Sequence, residues 1–214
     1  MADRPPLKTA AAGTIIAVLA ILVLAADQFT KYLAIAFLTP QQPVQVIGEA
    51  LQFYLIRNSG AAFSIGENYT WIFTIALAVV AVAIVLLIRR VRSRAWAIVL
   101  GLLLGGVLGN LTDRLFREPG FAVGHVVDFI LTPWMWFWTT PAIYNVADSF
   151  IVTMMIAAAI LVMRGRRLDG TRERRAEDAA ASGGADADEP VDGASAARTV
   201  PDTRVAGSPD LSGS

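Results

Sequence analysis

The 214-residue sequence predicts an all-α membrane protein with four transmembrane helices, a small extracytoplasmic β-rich segment and a disordered C-terminal tail. Three observations predict it. Hydrophobic residues make up 55% of the chain and the mean hydropathy is +0.55, which soluble domains rarely reach together with long uncharged runs. Four apolar stretches are long enough to cross a bilayer, which takes roughly 20 residues at a helical rise of about 1.5 Å each. After Leu168 the composition turns abruptly to Glu, Asp, Ala, Gly, Ser and Arg, so this segment has too little apolar surface to fold on.

The first stretch runs from about Ala12 to Leu38 and contains Asp27 and Lys31. It is too long for a cleaved signal peptide, and Asp27-Gln28-Phe29-Thr30-Lys31 stands where a small-residue cleavage site belongs. The second stretch, about Tyr69 to Ile88, carries no charge; the third spans about Ala95 to Leu111. The fourth spans about Tyr144 to Met163, with Asp148 near its start. Arg4 and Lys8 precede the first stretch, Arg89, Arg90, Arg92 and Arg94 link the second to the third, and Arg164, Arg166 and Arg167 follow the fourth. With four passes these basic groups share one side, so the positive-inside rule puts both termini in the cytoplasm. The links 39–68 and 112–143 then face outward.

Within the first outer link, residues 44–56 part-alternate and read as short strands around a turn at Gly48. Asn58-Ser59-Gly60-Ala61-Ala62-Phe63-Ser64 reads as a turn, or as a backbone-rich loop for an extended peptide. In the second link, Trp134, Met135, Trp136, Phe137 and Trp138 form an aromatic cluster between Pro133 and Pro141. Such clusters anchor at the membrane–water boundary, and this one is also placed to wall a lipid-substrate groove.

Composition excludes several kinds of chemistry. Formal net charge is zero, so there is no basic footprint for nucleic acid. The absence of Cys removes disulfides, thiolate nucleophiles and thiolate metal sites, and the lone His125 makes no histidine metal site by itself. No metal or cofactor is expected.

What needs explaining is the buried polarity. Asp27 and Lys31, four apart, share a helix face and read as an ion pair, either a brace of the bundle or a substrate contact. Asn110, Asp113 and Arg114 close the third stretch, where Arg114 is expected to neutralise Asp113 or to fork onto a carbonyl or carboxylate. Gly101, Gly105, Gly106 and Gly109 before them are a close-packing signal. Asn145 and Asp148 are three apart, so Asn145 either orients Asp148 through its amide or simply caps the helix. Asp128 lies in the apolar run Val126-Val127-Asp128-Phe129-Ile130, where desolvation raises a carboxyl pKa. Two carboxyls in different environments are the usual way to obtain one acid and one base.

Five pieces in order then carry a resemblance: Asp27-Gln28-Phe29-Thr30-Lys31, Arg57-Asn58-Ser59-Gly60-Ala61-Ala62-Phe63-Ser64, Gly109-Asn110-Leu111-Thr112-Asp113-Arg114, Gly124-His125-Val126-Val127-Asp128-Phe129, and Tyr144-Asn145-Val146-Ala147-Asp148-Ser149. On a four-pass frame these resemble the lipoprotein signal peptidases, the type II signal peptidases of bacterial inner membranes. The resemblance implies an aspartic endopeptidase that cleaves diacylglyceryl-modified prolipoproteins on the amino side of the lipidated cysteine. It implies Asp128 and Asp148 as the catalytic pair. Asn58, Asn110, Arg114, Asn145, Asp27 and Lys31 fall on family-typical supporting or substrate-binding positions. The expected organisation is a cytoplasmic segment 1–11, a peptidase domain 12–164 with its outer β-rich part at about 39–68, and a disordered cytoplasmic tail 165–214. A monomer in the bacterial inner membrane is expected, with lipidated prolipoproteins and membrane lipids as partners and the active site toward the outer face. Two features depart from the family: the link 115–123 is longer than usual, and Tyr144 replaces a common Phe. Taken alone, the residues also admit a Ser–Lys peptidase built on Ser59 or Ser64 with Lys31, or a proton-coupled transporter using Asp27, Asp128 and Asp148.

Overall fold

The computed structural model describes residues 7–60, 69–135 and 141–171. Four helices are long and apolar enough to cross a membrane: α1 (Thr9–Phe37), α2 (Thr70–Leu87, continued by a 3-10 turn to Arg90), α3 (Arg94–Phe116) and α4 (Val146–Met163). The strands are β1 (Val44–Ile47), β2 (Leu51–Asn58), β3 (Val126–Leu131) and β4 (Ile143–Tyr144), paired antiparallel in that order as one small sheet. The four-pass expectation is met, and Gly48, at φ +50°, makes the turn between the first two strands as anticipated.

α3 is the central helix and packs against α1, α2 and α4. Small residues permit this. A Cβ on Gly105 would sit 2.8 Å from the Ala20 carbonyl oxygen of α1, and one on Gly106 would sit 2.7 Å from the Ala147 carbonyl oxygen of α4. Close backbone approach replaces the hydrophobic drive that lipid cannot supply. One apolar core joins Ala12, Ile16 and Ala20 of α1 to Leu100, Leu104 and Val107 of α3, with Ala81 and Ile84 of α2. The outer faces of α1, α2 and α4 leave Ile21, Leu22, Val82, Leu86, Val152 and Met155 exposed, as lipid-facing surfaces do.

One boundary needs correction. The third helix does not stop near Leu111 but continues to Phe116, so Asn110 is an interior helix position and Asp113 and Arg114 stand in the last turn. It continues because the polar groups of that last turn find partners inside the protein. The apolar run around Asp128 is buried as expected, and it forms β3, which pairs with β2 in the register Asn58↔Val126 and Ile56↔Asp128. Alternation along β3 sends Val127 and Phe129 into a small core with Ala34 and Leu55, and turns Val126 and Asp128 the other way. Trp134 is exposed, consistent with the anchoring role expected of the aromatic cluster, whose residues 136–140 lie outside the described residues. Residues 61–64 of the polar segment and the tail from 172 also lie outside them.

Candidate active site

Asp128 and Asp148 open onto one cavity of about 210 Å³ between β3 and helices α2, α3 and α4. Asn58, Asn110 and Arg114 share its wall, with Phe73 of α2 on the apolar side. The fold brings Asp128 there on an interior strand and Asp148 on the first turn of α4.

Each carboxylate is held by amides. Asn58 Nδ2 donates to Asp128 Oδ2 at 2.7 Å, across the diagonal of the β2–β3 pair. Asn145 Nδ2 donates to Asp128 Oδ1 at 2.6 Å. Asn110 Nδ2 donates to Asp148 Oδ1 at 2.7 Å. Asn145 is also the N-cap of α4: its Oδ1 accepts from the Asp148 amide at 2.9 Å, while its own backbone N–H donates to Asp148 Oδ2 at 3.2 Å. The cap reading of Asn145 is met, whereas its side-chain amide, expected to orient Asp148, reaches Asp128 and Asn110 instead, and the Asp148 carboxyl takes the Asn145 backbone N–H. One side chain ties the start of α4 to β3 and so fixes the two aspartates relative to each other.

Burial pushes the Asp128 carboxyl up to about 7, and the nearby Asp148 charge pushes the same way, against the hydrogen bonds from Asn58 and Asn145. Asp128 is only 1% exposed. A carboxyl in such a place holds a proton near neutral pH and serves as a hydrogen-bond donor as readily as an acceptor.

Behind the cavity lies a second polar cluster. Lys31 Nζ contacts Asp27 Oδ2 at 2.8 Å, Asp113 Oδ2 at 2.9 Å and Asn110 Oδ1 at 3.0 Å. All three ammonium hydrogens are used, and the side chain is fully buried. Arg117 Nε completes the pairing of Asp113 at 2.6 Å. The remaining acceptors also bind the fold together: Asp27 Oδ1 takes the Ala147 amide at 3.0 Å and Asp113 Oδ2 takes the Val127 amide at 3.1 Å. Asp27 thereby holds the first turn of α4, and Asp113 holds β3. A lysine with every hydrogen committed to a partner is poorly suited to act as the free base of a Ser–Lys pair.

Arg114 follows the second of its expected courses. NH1 donates to the Gly124 carbonyl at 3.1 Å, and the guanidinium lies 5.6 Å from the centre of the Phe73 ring. Asp113, which Arg114 was expected to neutralise, is paired with Lys31 and Arg117 instead. Gly60, at φ +91°, has no room for a Cβ, which would fall 2.7 Å from Phe73 and 2.9 Å from Arg114 NH2.

All eight residues singled out by sequence thus converge on one region: Asn58, Asn110, Arg114, Asp128 and Asp148 line the cavity, Asn145 is buried beside Asp128, and Asp27 and Lys31 lie behind. Sequence reasoning missed Arg117, although its i,i+4 spacing from Asp113 was visible once α3 is allowed to continue. It also missed Gln28, whose Nε2 lies 3.1 Å from Asp27 Oδ2, the Gly109 carbonyl and Asp113 Oδ1. Nothing in a lone glutamine beside an aspartate signals that position. Phe73 was likewise invisible within a uniformly apolar helix.

The chain is similar to known proteins over most of its length. The family model described as signal peptidase (SPase) II matches residues 19–164. A lipoprotein signal peptidase of Leifsonia xyli subsp. xyli is 50% identical over 160 residues, covering 75% of this chain and 72% of the relative. One from Mycobacterium avium is 42% identical over 176 residues, covering 82% and 91%. A solved structure described as a bacterial membrane enzyme superposes with a TM-score of 0.62 at 28% identity, covering 76% of this chain and 95% of that one.

Proposed function

The chain belongs to the signal peptidase II family, and from that premise we propose that it is an aspartic endopeptidase of prolipoproteins carrying a diacylglyceryl-modified cysteine. It cleaves on the amino side of that cysteine and releases the signal peptide. The observation that supports this reading best is the shared cavity: two carboxyls face it, and their hydrogen bonds come from neutral amides.

Like charges a few Å apart do not both ionise cheaply, so the pair holds one proton near neutral pH. The ionised member takes a proton from a water molecule as that water attacks the scissile carbonyl carbon. The protonated member donates to the carbonyl oxygen as it becomes a hydroxyl. Collapse of the tetrahedral gem-diol breaks the C–N bond: the protonated carboxyl gives its proton to the leaving nitrogen, the ionised one takes a gem-diol hydroxyl proton, and the pair again holds one proton. Asp128, raised to about 7, is the member suited to carry the proton at the outset. Asn58, Asn110 and Asn145 hold the carboxyls in register, and Arg114 brings positive charge to the wall where the substrate backbone passes. Asp27 and Lys31 act from behind, by fixing α4 and Asn110.

The catalytic domain is residues 12–164, with both termini cytoplasmic and the cavity toward the outer face; residues 165–168, expected in a disordered tail, pack against the start of α3, and the chain after about Asp169 is dispensable for cleavage. The protein works as a monomer.

The test is to incubate purified protein with a prolipoprotein in diacylglyceryl-modified and unmodified forms. The expected result is cleavage of the modified form alone, with the lipidated cysteine as the new N-terminus. Equal cleavage of both forms, or of neither, contradicts the proposal.

A further inference from the structure

The larger cavity of about 780 Å³ lies at the other end of the bundle, where α2 and the segment after α4 meet the start of α3. Trp96 on its wall is 14 residues from Asn110 along α3, or about 21 Å at the helical rise. The cavity is built rather than incidental. After α4 the chain reverses at Gly165, at φ +65°, and returns beneath the α2–α3 link. The Leu168 carbonyl accepts from the Arg92 and Ser93 amides at 2.8 and 3.1 Å, and Trp96 Nε1 donates to the Arg166 carbonyl at 2.9 Å.

Its lining is two-sided. Leu87, Trp96, Leu100 and Val162 make an apolar wall continuous with the surface that the helices present to lipid. Arg90, Arg92, Arg166 and Arg167, all exposed, supply guanidinium groups to the rest. Among the described residues one carboxylate lines it, that of Asp169, which the Arg167 charge stabilises and whose Oδ1 accepts both the Thr171 amide and hydroxyl. Even with Arg167 set against Asp169, the described lining keeps the guanidinium groups of Arg90, Arg92 and Arg166 in excess, and beside an apolar wall at the end of transmembrane helices they match a molecule with an anionic head and an acyl chain.

We propose that this cavity is a binding site for an anionic phospholipid, its phosphate held by Arg90, Arg92, Arg166 and Arg167 and an acyl chain laid against Trp96 and Leu100. Guanidinium groups recognise phosphate through paired hydrogen bonds, and basic pockets between transmembrane helices are a recurrent seat for such headgroups. The site is separate from the dyad, so it stands or falls independently of the proposed cleavage.

Native mass spectrometry of the full-length protein, released from micelles containing phosphatidylglycerol or phosphatidylcholine, tests it. One variant replaces the four lining arginines (R90Q, R92Q, R166Q, R167Q). A control replaces two exposed arginines of the same end that do not line the cavity (R89Q, R94Q). A thermal midpoint unchanged in lipid-free micelles certifies the fold of each. The wild type and the control should retain phosphatidylglycerol in preference to phosphatidylcholine, and the cavity variant should bind it at least about tenfold more weakly. Equal loss in the control would overturn the site in favour of a diffuse basic surface. Displacement of the lipid by millimolar inorganic phosphate would overturn it in favour of a free-anion site. A severalfold rise in lipid occupancy on removing residues 172–214, whose stretch 176–197 carries only acidic charge, would assign the cavity to the chain's own tail.

Discussion

Two buried polar clusters meet at Asn110, and they solve the cost of burial in opposite ways. Asn110 accepts from Lys31 through its oxygen and donates to Asp148 through its nitrogen. On the Lys31 side, two carboxylates, Asp27 and Asp113, face two cations, Lys31 and Arg117. Charge sums to zero and every ammonium hydrogen is used. On the other side, two carboxyls face amides. The nearest guanidinium, that of Arg114, spends its NH1 hydrogen bond on the Gly124 carbonyl. The first cluster is neutralised by pairing. The second has no ion pair among the described residues, although the charges of Arg114 and Lys31 reach it through space, and a proton held between two carboxyls is what general acid–base chemistry needs. In this bundle, intramembrane charge alone does not mark the reactive groups. The carboxyls without an ion pair among the described residues do.

Lys31→Met gives the comparison its hardest test. Removing the cation strands Asp27 and Asp113 in the bundle, and breaking a buried pair in this way costs about 3–5 kcal/mol. The expected outcome is a large fall in thermal midpoint and in the yield of folded protein. A variant that kept the wild-type midpoint but lost turnover would move Lys31 into the reacting machinery and dissolve the distinction.

Asp128→Asn should do the reverse. In the folded protein the Asp128 carboxyl is raised from 3.8 to about 7, so between those values the native state binds the proton that the unfolded chain has released. Stability therefore falls as pH rises through that window, and the full penalty is present above about 7. Asn removes an ionisable group that never fitted its surroundings. The variant should gain stability relative to wild type by up to about 4 kcal/mol at pH 8, and by progressively less toward pH 4. The gain is reduced because the new amide nitrogen faces donors from Asn58 or Asn145. A thermal midpoint that dropped equally at both pH values would contradict the reading of Asp128.

Much of this was legible in the sequence because bilayer physics is severe. A run such as residues 70–87 has one stable form in lipid, and a polar motif within or beside such runs has to be explained. Gly48 announced its turn because the flanking residues alternate. The last turn of α3 was not legible, since Thr112, Asp113 and Arg114 look like an exit from the membrane until their partners are known. Those partners, Lys31 from α1 and the Val127 amide from β3, are far away in sequence. The strand character of residues 126–131 was hidden for a related reason. A short apolar run declares a strand only beside its neighbour, and β2 lies some 70 positions earlier, as the Asn58–Asp128 pair records. The double role of Asn145 was half visible: spacing gave the cap, whereas the bond to Asp128 depends on tertiary packing.

The central claim is that Asp128 and Asp148 act as one proton-sharing unit. The most direct measurement is the cleavage rate of a diacylglyceryl-modified prolipoprotein by wild type, Asp128→Asn, Asp148→Asn and the double variant, each confirmed as folded. Groups that act as a unit are strongly non-additive, so each single variant should lose at least about a thousandfold in turnover and the double variant little more. A single variant within tenfold of wild type, or a double variant whose loss is the product of the two single losses, would contradict the account.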